Sequence, residues 1–429
     1  MRSPAAILAA MGRSARRLLA AVARPVARAQ GRGGVALLPY RGYGSRSEVF
    51  LIGRVFRQSD EARQDRRGGV PGQIRNVLRR ITRAAVEGAA VTARFCGAQE
   101  RVTTDRDGYF RIHLRLAEPP APDRSWHEVD LELEEPRVAA KASVFIPPDR
   151  CRFVVISDID DTVVQTGIAN KLVMLWRLFV EDAESRIAFP GVAALYQAMH
   201  GGLSGRDGNP MLYVSRAPWG TYEVLEEFFQ IHHIPVGPIL FLREWGVSWT
   251  SPLPREARSH KEDLIRRMLA LYDTLPFVLI GDSGQHDPEI YRRIVEENPG
   301  RVLAVFIRDV SHDPARVRDM ERLAMAVSQA GSTLLLASDS VAMAEQAVKL
   351  GLVGEATPAV VRSNREEQQP QPPEAPTTRV SGATPQATAR AVAEGGLATA
   401  LDAASPEAPS PNVVVEPDER RGARPPSAP

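Results

Sequence analysis

The sequence predicts an α/β protein. Its main unit is a mostly parallel sheet with helices on both faces, preceded by a small β-sandwich unit and flanked by two disordered ends. Three observations predict this. Between about 151 and 352, continuous apolar runs alternate with helical stretches, the pattern of strands buried on both faces. Between 48 and 146, strand-length runs follow one another, with one helical stretch near 72–85. The last 75 residues, from Glu355, hold 13 of the 34 prolines and no aromatic, a composition that buries no core. A chain of 429 residues suggests two or three domains. The boundaries fall as leader 1–47, β unit 48–147, α/β unit 148–354 and tail 355–429.

The leader carries nine arginines and no acid. On a helical wheel Ile7, Leu8, Met11, Leu18, Leu19 and Val22 share an arc of roughly 120°, opposite Arg13, Arg16, Arg17, Arg24 and Arg28. Three readings stay open. Residues 1–28 suit a peripheral helix on an anionic membrane surface, an organelle transit peptide, or a disordered basic leader. Arginines interrupt every candidate core of a secretory signal. No apolar run approaches the roughly 18 residues of a membrane span. The expected location is cytoplasmic, with contact to a membrane only at its surface.

The formal net charge of +2 divides unevenly. Residues 48–354 hold 38 basic and 42 acidic side chains, and the tail holds 7 and 10. An acidic middle argues against a nucleic-acid partner. Two cysteines, Cys96 and Cys151, exclude a disulfide scaffold and a cysteine-based metal site. Of 54 basic residues 50 are arginine, so each lysine stands out.

In the β unit the strand-like runs are 48–56, 89–95, 109–116, 128–133 and 138–146. Asp105-Arg106-Asp107-Gly108 has turn chemistry ahead of an alternating strand. Both acids serve that turn, since no Glu stands at the later offset of a calcium loop. In the α/β unit the strands are 153–157, 211–215, 239–242, 277–280, 302–307 and 333–337. Helices lie between them, among them 219–230, 259–272, 287–297 and 314–329. Ligands of such sheets sit at the carboxyl ends of the strands, and the chemical motifs fall there.

The first strand runs directly into Asp158-Ile159-Asp160-Asp161-Thr162. Two carboxylates about 4 Å apart repel by about 4 kcal/mol at an effective dielectric of 20. A bound divalent cation is the usual offset, whereas a helix cap needs only one acid. The fourth run leads into Gly281-Asp282-Ser283-Gly284-Gln285-His286-Asp287. Oxygen ligands from two strand ends, without His or Cys in pattern, favour Mg²⁺ over zinc. Ser215, followed by Arg216, ends the second strand with a hydroxyl, and Lys261 starts a helix. A compact ammonium there suits a phosphate as a point charge. Leu172-Val173-Met174-Leu175-Trp176 reads as helix core, with a bilayer-touching surface as the other reading.

Together, Asp-x-Asp-x-Thr, a strand-end Ser, a helix-borne Lys and Gly-Asp-x4-Asp resemble the four motifs of the haloacid dehalogenase (HAD) superfamily. More specifically, residues 145–353 resemble the App1-type phosphatidate phosphatase catalytic domain family. The supporting stretches are 155–167, Phe189-Pro190-Gly191, Tyr213-Val214-Ser215, Ser259-His260-Lys261, Asp287-Pro288-Glu289-Ile290-Tyr291 and Ile307-Arg308-Asp309-Val310. The resemblance implies a HAD-like Rossmannoid fold with a small or absent cap. It implies Asp158 as nucleophile and Asp160 as acid and base, with Mg²⁺ held by Asp158, Asp160, Asp282 and Asp287. Thr162, Ser215, Arg216 and Lys261 would bind the phosphate, Lys261 also counting as catalytic. The implied reaction is Mg²⁺-dependent hydrolysis of phosphatidate, a phospholipid, to diacylglycerol. Two other readings remain: a HAD phosphatase for another exposed phosphomonoester, such as a nucleic-acid end or phosphoprotein, and a non-catalytic membrane-associated adaptor.

Overall fold

The computed structural model describes residues 30–32, 34–57, 83–159, 189–217, 219–241, 257–283, 286–310, 314–368 and 413–415. The basic stretch 1–28 with its three open readings, the 172–176 run, and Asp160, Asp161 and Thr162 lie outside them.

Among the described residues, nine strands build the N-terminal part: β1 (Gln30–Arg32), β2 (Val35–Pro39), β3 (Gly42–Gly44), β4 (Glu48–Arg57), β5 (Ala90–Phe95), β6 (Ala98–Thr103), β7 (Tyr109–Arg115), β8 (Trp126–Leu133) and β9 (Val138–Phe145). Pairing links all nine into one sheet, in the order β1-β2-β4-β3-β9-β8-β5-β6, with β7 on the free side of β4. β8 and β9 bury every second residue over much of their length, as the period of two requires. Their inward residues join Leu37, Val49, Val91 and Phe110 in one core. The Asp105 turn forms as expected. Its Oδ1 accepts the N–H groups of Asp107 at 3.0 Å and Tyr109 at 2.9 Å, and Gly108 supplies the positive φ of 79°.

Three expectations are corrected here. The leader does not extend to residue 47. β1, β2 and β3 lie within it, and Ala36, Leu37, Leu38 and Tyr40 are buried. These strands are short and broken by Gly and Pro, so only their pairing, β1 with β2, β2 with β4, and β3 with β4 and β9, marks them as strands. The helical stretch near 72–85 does not reach its end, because Ala85 forms a β-bridge with Phe56. The tail does not begin at Glu355, for a helix follows at Thr357–Gln368 with Val361 fully buried, and Val413–Val415 pairs antiparallel on a sheet edge.

The second half alternates strands and helices. β10 (Val154–Asp158), β11 (Met211–Ser215), β12 (Ile239–Phe241), β13 (Phe277–Asp282), β14 (Val302–Arg308) and β15 (Thr333–Ala337) are all parallel. The sheet order is β12-β11-β10-β13-β14-β15, closed by β16 (Val413–Val415). Successive strands first move outward to one side of β10, then resume on its other side. The β10–β13 boundary is therefore the point where strand order reverses, the place where such sheets open a crevice for ligands.

Both faces are covered, which is why these strands are mostly apolar. Val155, Tyr213, Val278 and Phe306 pack under α1 (Val192–Gly201), α2 (Tyr222–Ile231), α6 (Ser340–Lys349) and α7 (Thr357–Gln368). Ile156, Leu212, Leu279 and Val305 pack under α3 (Ala257–Leu271), α4 (Asp287–Glu297) and α5 (Pro314–Gln329).

The first of these cores continues into the β unit. Tyr40 stacks on Tyr222 with ring centroids 4.0 Å apart and lies parallel to Trp219 at 5.9 Å. Arg41 pairs with Glu226 at 2.7 Å and Arg83 with Glu223 at 2.8 Å, all four largely sheltered. The main-chain N–H of Arg41 donates to the Tyr222 hydroxyl at 2.8 Å. The two units thus share a packed, hydrogen-bonded joint on α2.

Tyr40→Ala should lower unfolding free energy by about 3–5 kcal/mol, the range for deleting a buried aromatic. Calorimetry should also resolve two transitions as the joint loosens; a single unchanged transition would refute its role.

At the end of α2, burial and then neighbouring His233 push the His232 imidazole down to about 4. The unfolded chain, at about 6.5, therefore takes up the proton first. Stability from this site is full above about pH 6.5 and falls as pH drops toward 4. His232→Gln should flatten that decline in urea midpoints taken at pH 7 and pH 5; an identical decline would exclude the group.

Candidate active site

β10 and β13 are parallel neighbours, with Ser157 opposite Ile280, and each ends in an aspartate. Asp158 and Asp282 consequently emerge side by side at the reversal point, both inaccessible to solvent. The chain turns after β13 and enters α4 at Asp287, in the helix's first turn. Gly281 makes this approach feasible. A Cβ there would lie 2.4 Å from Asp287 Oδ2 and 2.8 Å from its Cβ, so a larger residue would displace the helix start.

Lys261 closes the cluster from α3. Its side chain is fully buried, and Nζ donates to Asp158 Oδ1 at 2.9 Å and to Asp287 Oδ1 at 2.5 Å. The ammonium also lies 5.5 Å from the Tyr291 ring centroid, and the Tyr291 hydroxyl donates to the Ile280 carbonyl at 3.0 Å. Burial alone would lower the lysine pKa. The carboxylates of Asp158 and Asp287 outweigh it and hold the group above its ordinary value, so the ammonium stays charged.

One carboxylate oxygen from each of Asp158, Asp282 and Asp287 lies within 4.8 Å of the other two. Asp287 Oδ2 is buried without a hydrogen-bond partner among the described residues. An all-oxygen set of this kind suits a hard divalent cation, which would offset charge that a single ammonium leaves over.

Ser215 ends β11 on the other flank of β10, one residue beyond Val214, the partner of Asp158. Its buried Oγ accepts the Ala217 N–H at 3.1 Å, and Arg216 beside it is half-buried. The fold thus brings together Asp158, Lys261, Asp282 and Asp287, with Ser215 and Arg216 along the same strand-end edge. Asp160 and Thr162 lie outside the described residues.

Two supporting groups escaped the sequence reading. Ser157 Oγ donates to the Asp158 carbonyl at 2.9 Å and shares a 2.7 Å hydrogen bond with the Tyr196 hydroxyl, pinning the backbone that carries Asp158. A serine inside an apolar strand was a visible signal; Tyr196, on α1, had none. Ser283 accepts the Val310 N–H at 3.0 Å and donates to Asp309 at 3.2 Å, tying the loop after β13 to the exit of β14.

Lys261→Met should lower stability by about 3–5 kcal/mol in metal-free buffer, because it strands buried carboxylates. Denaturant titration checks this, and a loss below about 1 kcal/mol would show that the ion pairs contribute little.

Residues 153–309 match the family model described as "Phosphatidate phosphatase APP1, catalytic domain". Phosphatidate phosphatase APP1 of Saccharomyces cerevisiae is 31% identical over 163 residues, covering 38% of this chain and 27% of that protein. An uncharacterized protein of Schizosaccharomyces pombe is 28% identical over 165 residues, covering 38% of this chain and 26% of that one. The chain thus spans about a quarter of the length of these relatives. A carbohydrate acetylesterase from Xanthomonas citri aligns over 67% of this chain and 72% of its own, at 10% identity and a TM-score of 0.23, too low to bear on fold or activity. Asp158, Lys261, Asp282 and Asp287 all lie within 153–309, the stretch that is similar to App1-type phosphatidate phosphatase catalytic domains.

Proposed function

We propose that this chain is a Mg²⁺-dependent phosphomonoester hydrolase that converts phosphatidate to diacylglycerol through an aspartyl-phosphate. The observation that carries the reading is the buried cluster of Asp158, Asp282, Asp287 and Lys261 at the strand-order reversal of an App1-type domain. On this reading the α/β unit is a HAD-like fold with a small cap, and the curled N-terminal sheet is a β-sandwich-type accessory domain.

Asp158 attacks phosphorus, a bond forms between its carboxylate oxygen and the phosphoryl group, and the ester P–O bond breaks. Asp160 donates its proton to the leaving alkoxide, which departs as the diacylglycerol hydroxyl. A water then attacks the aspartyl-phosphate while Asp160 takes its proton; inorganic phosphate leaves and the Asp158 carboxylate is restored. Lys261, charged throughout, and Ser215 hold the phosphoryl oxygens, joined by Arg216 and Thr162. Asp158, Asp282 and Asp287 would hold Mg²⁺ together with Asp160, and the ion would supply neutralisation of the phosphoryl charge. Residues 1–28 would keep the enzyme against an anionic membrane surface, where its substrate lies.

Asp158→Asn should cut phosphate release by at least about 10³-fold with an unchanged circular dichroism spectrum. Phosphate release from phosphatidate vesicles, compared with soluble phosphomonoesters and with chelator added, is the measurement. Wild-type-like activity in the variant, or full activity in chelator, would sink the mechanism; preference for a soluble ester would sink the substrate.

A further inference from the structure

A concave feature lies outside the carboxylate cluster, in the joint between the two units. It is a cleft of about 380 Å³, inside the range of about 300–1,000 Å³ that small-molecule sites occupy. One wall comes from the β unit through Tyr40, Tyr43 and Phe50. The other comes from the α/β unit through Trp219, Phe241 and Leu264.

Strand register ties this cleft to the site. Phe241 is the Cα partner of Ser215, and Asp158 is the partner of Val214, immediately before Ser215. Phe241 therefore stands two strands from Asp158 along one sheet edge, roughly 10 Å at the usual interstrand spacing. Trp219 packs on Phe241 with ring centroids 4.6 Å apart, so the aromatic wall begins where the row of strand-end polar residues stops. From there the lining runs along β12 and α3, away from the carboxylates, through Leu240, Leu264 and Arg267. Three guanidinium groups and the Glu100 carboxylate stand at its edge. Arg41 is paired with Glu226 and Arg111 with Asp105 at 3.6 Å, while exposed Arg267 has no hydrogen bond or ion pair among the described residues.

An apolar trough that starts beside a phosphate-handling edge and is rimmed by guanidinium groups matches a molecule with a phosphate, a short polar linker and a long apolar chain. We infer that the cleft binds one acyl chain of the lipid whose phosphate lies at Asp158, with the N-terminal sheet supplying half of the acyl site. This rests on the reading of the site as a phosphatidate phosphatase, and it gives the β unit a direct part in substrate selection. A small headgroup phosphomonoester would leave the cleft unused. The exposed Arg267 guanidinium would face the anionic surface from which the chain is drawn.

The test uses the full chain and two phosphatidates, dioleoyl and dihexanoyl, in the same nonionic-detergent mixed micelles at equal surface concentration. Leu264→Trp fills the cleft from α3, and Phe50→Ala removes part of the opposite wall. The expected result is a preference of the wild type for dioleoyl phosphatidate. The ratio of kcat/KM for the long over the short chain should then fall about tenfold in Leu264→Trp, the effect of losing about two buried methylenes. It should fall in the same direction in Phe50→Ala, which keeps the test alive if the bulky variant does not fold. Unchanged ratios in folded, active variants would overturn the acyl site and leave the phosphatase reading standing. A wild type inactive on every phosphomonoester would overturn the phosphatase reading, and the acyl site with it.

Discussion

Three carboxylates with no access to water, facing one buried ammonium, set the terms for the rest of this structure. Asp158 and Asp282 are brought together by the pairing of β10 with β13, and Asp287 joins them because α4 starts directly after that strand. Like charges at such spacing are unfavourable by several kcal/mol at protein dielectric. Lys261 offsets part of this through two short contacts from α3. Every local choice around the cluster serves that concentration of charge. Gly281 leaves room for Asp287, Tyr291 lies beside the ammonium, and Ser157 with Tyr196 fixes the backbone beneath Asp158.

Such a cluster needs rigid support, because an ion pair in a dry site is favourable only while its geometry holds. The parallel sheet provides this by burying β10, β11, β13 and β14 on both faces. The β unit adds to it through the Tyr40 stack and the Arg41 and Arg83 ion pairs on α2, the helix that follows Ser215. One structural joint therefore both stiffens the strand-end edge and shapes the aromatic cleft beside it.

Much of the α/β unit was legible in the chain. The runs 211–215 and 333–337 coincide with β11 and β15, and the helices 287–297 and 314–329 with α4 and α5. These elements are buried on both faces or strongly amphipathic, so local pattern and tertiary role agree. β13 runs two residues past its apolar stretch because Gly281 and Asp282 still pair with Ile307 and Arg308 of β14. Less was legible at the margins. β2 reads as part of a basic, glycine-rich leader, yet Leu37 and Leu38 are core residues once β4 lies alongside. The helix Thr357–Gln368 looks like the start of a polar tail. It is held by Val361, which packs at Gly191, and by Gln368 Oε1, which accepts the Gly191 N–H at 3.0 Å.

The sequence by itself determined which chemical groups stand at strand ends, since apolar runs that stop at Asp158, Ser215 and Asp282 admit few other readings. It also carried an order of motifs that resembles App1-type domains, within the stretch 153–309 that matches that family model. The tertiary structure decided what those groups do to one another: that Lys261 binds Asp158 and Asp287 at once, that Asp282 brings a third carboxylate beside them, and that Tyr40 meets Tyr222 across 182 positions. The physical reason is range. Periodicity and turn chemistry act over a few residues and can be read locally. Charge compensation and aromatic packing act over a few ångströms between segments far apart in the chain, and only the completed sheet brings them within reach.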